Sequence, residues 1–344
     1  MSRTLTRLLI LGIICSIITS FVFSQDPVNK SNQLSFGNKS LNFLVLSDWG
    51  REGSKDKAKD KKAAGQVKVA QQLAATAEEV KASFVVTCGD NFHGKGVSSV
   101  TDSLWQENFE NVYTAKSLMI PWYIALGNHD YEGNADAELE YAKTSKRWIE
   151  PARYYSFTKK LSGSTQVLFV ILDSSPFVEE YINQKDDGHH LSGQKIAVQW
   201  QWCDSVLSIS TATWKFVFFH HPAYSASSTH GSTVEIQRTF VPLFEKYHVN
   251  ACFSGHDHDL QHSRPDSATV EYFGCGGGSE TRPAGQAAFT KYSNASLGFG
   301  VVSISQRTMR FSFVDDKGEQ IYHYEIYRSE SSLATVHKTH DSRK

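Results

Sequence analysis

From Leu41 onward, apolar runs of strand length alternate with stretches whose apolar positions recur every three or four residues. Leu41–Leu46 reads as a strand, and Val67, Ala70, Ala74, Ala77 and Val80 then trace one face of a helix. Phe84–Thr87 is the next strand, followed by a helical stripe at Leu104, Trp105, Phe109 and Val112. Trp122–Leu126, Val167–Leu172, Trp214–Phe219 and Asn250–Phe253 continue the strands, with helical patterns over 194–207 and 235–247 between them. After Val270 the chain is strand-rich, through Phe299–Ile304, Arg310–Val314 and Gln320–Tyr327. Alternating β and α predicts a largely parallel sheet covered by helices, and the β-rich end predicts a second sheet packed against it. No linker or repeat divides the stretch, so a single two-sheet α/β domain over 41–328 is expected.

The ends of the chain differ from this middle. Arg3 and Arg7 precede an apolar run from Leu8 to Phe23, which reads as a secretory signal over 1–24 with cleavage after Ser24. Residues 25–40 form an N-terminal extension and 329–344 a polar tail, expected to be poorly ordered. A secreted or periplasmic protein follows, with no stable membrane association once the signal is removed; a retained membrane anchor is the alternative. Cys88, Cys203, Cys252 and Cys275 then remain, and an exported chain permits disulfides without fixing a pairing. Composition adds a limit. With 40% hydrophobic residues and a net charge of −1, the chain has material for a large core but no broad basic face, so no nucleic-acid partner is expected. A monomer is expected.

Chemistry concentrates where strands stop. The successive endings are Ser47-Asp48-Trp49-Gly50, Gly89-Asp90-Asn91-Phe92-His93, Gly127-Asn128-His129-Asp130, His220-His221-Pro222 and Gly255-His256-Asp257-His258. Any one of these is explained by a turn, a cap or a surface histidine. In open α/β sheets, however, ligands gather outside the carboxyl ends of the strands, and five such endings carry oxygen and imidazole donors with no thiolate. That donor set suits Fe, Mn or Zn. There is no Walker-type glycine loop and no Gly-x-Ser-x-Gly elbow; Gly274–Gly278 follows a strand and reads as a tight turn beside the pocket.

Taken in order, these motifs resemble those of the metallophosphoesterase (calcineurin-like) superfamily. The resemblance is to the small, tartrate-resistant type of purple acid phosphatase, and it extends through Trp105–Glu110, Pro121-Trp122-Tyr123 and Ser145-Lys146-Arg147-Trp148. It implies a four-layer αββα sandwich of two mixed sheets and hydrolysis of a small phosphorylated substrate at two metal ions. It further implies that Asp90 bridges the ions, that Asp48 and His258 bind the first, and that Asn128, His220 and His256 bind the second. His129 and His230 match histidines that contact substrate and protonate the leaving oxygen, with Asp130 or another acid orienting His129. His221 matches no ligand. The segment Asp173–Leu191, with His189 and His190, reads as a loop covering the site.

One position departs from the family. Tyrosine ordinarily stands three residues after the bridging aspartate, and here the residue is His93. The resemblance then implies His93 as the remaining ligand of the first ion. Exchanging an anionic phenolate for a neutral imidazole removes one negative charge, which a trivalent ion feels more than a divalent one. Two divalent ions (Fe, Zn or Mn) and a pH optimum nearer neutral are expected, with metal-activated water attacking phosphorus in line. A phosphodiesterase or nucleotidase on the same centre, and a non-catalytic metal-dependent phosphate binder, remain as alternatives.

Overall fold

The structure, a computed structural model, describes residues 34, 40–51, 61–161, 163, 165–182, 191 and 193–328, together with the backbone of 335–340. The expected signal over 1–24, most of the extension, and His189 and His190 lie outside the described residues. In chain order the strands are β1 (Leu41–Leu46), β2 (Val85–Thr87), β3 (Trp122–Tyr123), β4 (Trp148–Ile149), β5 (Tyr155–Lys160), β6 (Gln166–Ile171), β7 (Trp214–Phe218) and β8 (Ala251–Ser254). They continue with β9 (Leu260–Ser263), β10 (Glu271–Cys275), β11 (Thr290–Asn294), β12 (Gly298–Ile304), β13 (Thr308–Asp315), β14 (Gln320–Arg328) and β15 (Thr335–His340). The helices are α1 (Lys61–Glu79), α2 (Asn128–Glu132), α3 (Ala135–Ala142), α4 (Glu179–Ile182), α5 (Ile196–Ile209) and α6 (Val234–Lys246).

Strands β1 to β4 run parallel, and β12 to β15 extend the same sheet antiparallel from the other side of β1. In the second sheet β6, β7, β8 and β10 are parallel, with β5 on one edge and β9 and β11 on the other. Of the β-rich end, β10 and β11 join the second sheet, but β12 to β15 do not, contrary to the sequence expectation. They cover the free edge of β1, pairing Leu41 with Ile304 and Val45 with Gly300, so that β1 is not left with unpaired backbone groups.

Alternation along the central strands builds three apolar layers. Phe43 and Val45 of β1 face Phe169, Phe216, Phe218 and Phe253 between the sheets, while Leu44 and Leu46 face Val69, Ala70, Leu73 and Ala77 of α1. On the far side, Leu168, Val170 and Val217 pack against Cys203 and Leu207 of α5 and Ile236, Phe240 and Phe244 of α6. This is the αββα sandwich. Three local expectations change. The stripe from Leu104 to Val112 makes only a π-helical turn at Trp105–Glu110, which buries Trp105 and Phe109. The supposed loop after Asp173 begins with a buried 3₁₀ turn, Ser175–Phe177, and then α4. Thr335–His340, within the expected polar tail, pairs with β14. The four cysteines among the described residues are free and buried, and no described helix is long and apolar enough to cross a membrane.

Candidate metal centre

The polar residues after β1, β2, β3, β7 and β8 converge at one end of the sandwich. The backbone arranges this at a cost. Asp48, Asp90, His256 and His258 sit at φ 58°, 50°, 75° and 51°, a left-handed region that disfavours side chains by on the order of 1–3 kcal/mol each. Close approach does the rest. A Cβ on Gly127 would stand 2.2 Å from Asp90 Oδ1, and one on Gly89, at φ +91°, 2.7 Å from His220 Nδ1, so glycine is what lets the strand ends touch.

The side chains meet around Asp90. Its Oδ1 is 3.4 Å from His220 Nε2 and accepts from the amide of His129 at 3.0 Å. Its Oδ2 is 3.9 Å from both His93 Nε2 and His129 Nε2. His220 Nε2 lies 3.1 Å from Asn128 Oδ1 and 3.2 Å from His256 Nδ1. On the other flank His258 Nε2 is 3.3 Å from Asp48 Oδ1. The donor atoms of Asp90, His93 and His258 lie within 4.8 Å of one another, and so do those of Asp48, Asp90 and His220. All seven expected ligands thus share one locus, with Asp90 between two flanks.

Neighbouring groups aim these donors. His220 Nδ1 donates to Cys88 O at 2.8 Å and His258 Nδ1 is 3.3 Å from Glu280 Oε1, which leaves each Nε2 lone pair turned inward. Burial opposes ionisation of Asp90, yet His220, His129 and His93 hold its carboxyl well below the usual range. Against its own burial, His220 is raised to about 9 by Asp90 and Asp48. A cation between these groups would displace that proton. Asp48 Oδ1 is buried without a hydrogen bond, an arrangement that is costly unless something positive or polar meets it. An orphaned carboxylate oxygen, carboxylate and imidazole chemistry, and two flanks about one carboxylate fit a pair of metal ions.

The outer histidines are also present. His129 Nδ1 lies 2.9 Å from Glu132 Oε1, close but without hydrogen-bond geometry, so Glu132 and not Asp130 is the acid beside it. Asp130 instead accepts from the amides of Gly127 at 2.8 Å and Phe92 at 3.0 Å, fixing the turn. The His230 ring lies against His256, tilted by 31° with centroids 4.1 Å apart, and Arg282 Nη1 is 2.7 Å from His230 Nε2. Although His221 lies near His220 and His256, its nitrogens face Ser174 Oγ at 2.9 Å and Tyr181 OH at 3.1 Å. Sequence reasoning missed Arg51, whose guanidinium contacts His93 Nδ1 and lies 3.0 Å from Glu280 Oε2. Its signal was register: Arg51 stands three residues after Asp48 as His93 does after Asp90.

The profile of the family described as calcineurin-like phosphoesterase matches residues 41–260. The chain belongs to that family. Purple acid phosphatase 7 of Arabidopsis thaliana is 31% identical over 325 residues, covering 91% of each chain. Tartrate-resistant acid phosphatase type 5 of Homo sapiens is 29% identical over 299 residues, covering 82% of this chain and 90% of that one. Among solved structures, GAP50, the anchor in the inner membrane complex of Plasmodium, has a TM-score of 0.72 at 23% identity, covering 85% of this chain and 90% of that one. That last likeness supports the fold alone. This calcineurin-like phosphoesterase is a metal-dependent phosphoric ester hydrolase, of a family that works with a dinuclear centre.

Proposed function

We propose that this calcineurin-like phosphoesterase is an exported phosphatase that hydrolyses phosphate monoesters. The observation that carries the reading is the position of Asp90, with Asp48 and His258 on one flank and Asn128, His220 and His256 on the other. Asp90 would be shared by both ions, and each remaining group would serve one. When bound, the ions supply Lewis acidity toward the phosphoryl oxygens and an activated water for in-line attack. Both are divalent in this reading, because no phenolate is present to favour a trivalent ion.

His129 is the second residue of α2 and points Nε2 toward Asp90, with Glu132 behind its Nδ1. It would hold a proton at Nε2 for the departing oxygen, a contribution of about 100- to 10,000-fold. His230, beside His256 and capped by Arg282, would bind the ester from the opposite rim. Export rests on the basic start and apolar run of residues 1–24, and recovery of the mature protein outside the producing cell, cleaved after Ser24, tests it.

One preparation tests the rest. Elemental analysis should find two divalent ions per chain, and an aryl phosphate monoester should turn over much faster than the matching diester. A faster diester would make the protein a phosphodiesterase, and two ions with no turnover would make it a phosphate binder.

A further inference from the structure

Arg51 and His93 are neighbours in backbone as well as side chain. The extensions of β1 and β2 bridge at these two residues, and His93 N donates to Gly50 O at 2.7 Å. The Arg51 side chain is buried, 4% exposed. Its Nε donates to Ser279 Oγ at 2.9 Å, its Nη2 lies 3.0 Å from Glu280 Oε2, and its Nη1 contacts His93 Nδ1. A guanidinium has only donors, so His93 Nδ1 is the acceptor.

That contact decides which nitrogen of His93 faces the site with a proton. A neutral imidazole carries one, and with Nδ1 accepting, it sits on Nε2. Nε2 is buried, has no hydrogen-bond partner, and faces Asp90 Oδ2 from 3.9 Å, beyond hydrogen-bond reach. Coordinating an ion through Nε2 needs a lone pair there, which would move the proton to Nδ1 and set it against the Arg51 donor. Two of the expected ligand histidines, His220 and His258, are built the other way, whereas His256 turns Nδ1 itself toward the site, 3.2 Å from His220 Nε2. His220 Nδ1 faces the Cys88 carbonyl, and His258 Nδ1 has the Glu280 carboxylate at 3.3 Å, with Arg51 Nη2 at 3.4 Å. Each has an acceptor for an Nδ1 proton, and His93 has a cation.

We infer that His93 is a hydrogen-bond donor to the phosphoryl group, held in that role by Arg51, and not a ligand of the first ion. The first ion then rests on Asp48, Asp90 and His258. Arg51 is the positioning residue, and its charge polarises an N–H aimed where negative charge grows during phosphoryl transfer. Glu280, 2.7 Å from Lys62 as well as close to Arg51, balances the buried guanidinium. The inference rests on the phosphatase reading and refines it.

The test uses the full chain loaded with zinc or manganese, with inorganic phosphate as the probe. His93→Ala should keep two ions, the first with a dissociation constant within about threefold of wild type, because ligand loss or second-sphere damage costs about 10- to 100-fold. Inorganic phosphate should bind that variant about tenfold more weakly, as expected for the loss of one hydrogen bond to a charged group. His93→Gln, whose amide still donates, should recover part of that loss. Arg51→Met should tighten the first ion about tenfold, by releasing Nε2 to coordinate and by removing a positive charge; loss of a merely structural contact would not tighten it. If wild type holds two ions and His93→Ala loses one, or binds the first tenfold more weakly, the inference is overturned. A wild-type protein that holds no ion would sink the phosphatase reading itself, and this inference with it.

Discussion

Gly127 has ordinary extended angles, φ −112° and ψ −179°, so alanine meets no torsional objection there and any effect is steric. A Cβ would lie 2.2 Å from Asp90 Oδ1 and 2.3 Å from Asp90 N, where ordinary contact begins at 3.4 Å. The carboxylate must therefore retreat by roughly 1 Å, and it is not free to, since Oδ1 also holds the His129 amide. Overpacking of this kind costs about 1–3 kcal/mol. Moving a reacting or ligating group by 1 Å costs about 100-fold in rate. Gly127→Ala should fold, melt about 2–10 °C lower for a domain of this size, and carry fewer than two ions after gel filtration. Its kcat/KM for an aryl phosphate should fall about 100-fold. Elemental analysis, a thermal melt and steady-state kinetics on the same sample read all three. Two retained ions with kcat/KM within about threefold of wild type would refute the reasoning, because Asp90 would then not be the crowded, shared ligand.

His129→Ala should keep its metal and lose about 100- to 10,000-fold in kcat for alkyl phosphates, but much less for nitrophenyl phosphate, whose leaving group needs no proton; equal losses would remove His129 from that role. Phe169 is fully buried, with rings of Phe43 and Phe84 at 5.4 Å and Phe157 at 4.7 Å, so Phe169→Ala should cost about 3–5 kcal/mol in urea unfolding. A cost below about 1 kcal/mol would contradict the inter-sheet packing. His262 sits between Glu271 Oε2 and Tyr322 OH, each at 2.7 Å, and burial lowers its pKa from 6.5. The unfolded imidazole takes a proton as pH drops through 6.5 while the folded one resists, so the folded state binds fewer protons and stability falls below that pH. Unfolding free energies at neutral and mildly acid pH should differ less in His262→Gln than in wild type, and an equal difference would show that His262 does not titrate this way.

Much of this site was written locally. Asp48, Asp90, Asn128, His220, His256 and His258 each follow an apolar strand, and the strand ends of an α/β sheet share an edge, so spacing alone was enough to gather them. Placing the late strands was harder, because Phe299–Ile304 alternates equally well in either sheet; the choice depends on which edge of β1 needs a partner. Arg51 and Glu280 were invisible for a different reason. They are far apart in sequence and meet only because the turn after β10 folds back over β1. The sequence offered Asp130 or another acid as the partner of His129; consecutive residues in a helical turn point apart, and Glu132, three positions on from His129, is the acid that lies beside it.

The ligands hang from both halves of the sandwich: Asp48, Asp90 and Asn128 from one sheet, His220, His256 and His258 from the other. Ions seated there would act as a rivet through two plates already glued along their shared aromatic face. Stripping them would leave the glue intact and let only that rim gape, so chelation should speed amide hydrogen exchange at the strand ends while Phe169 and its neighbours stay protected.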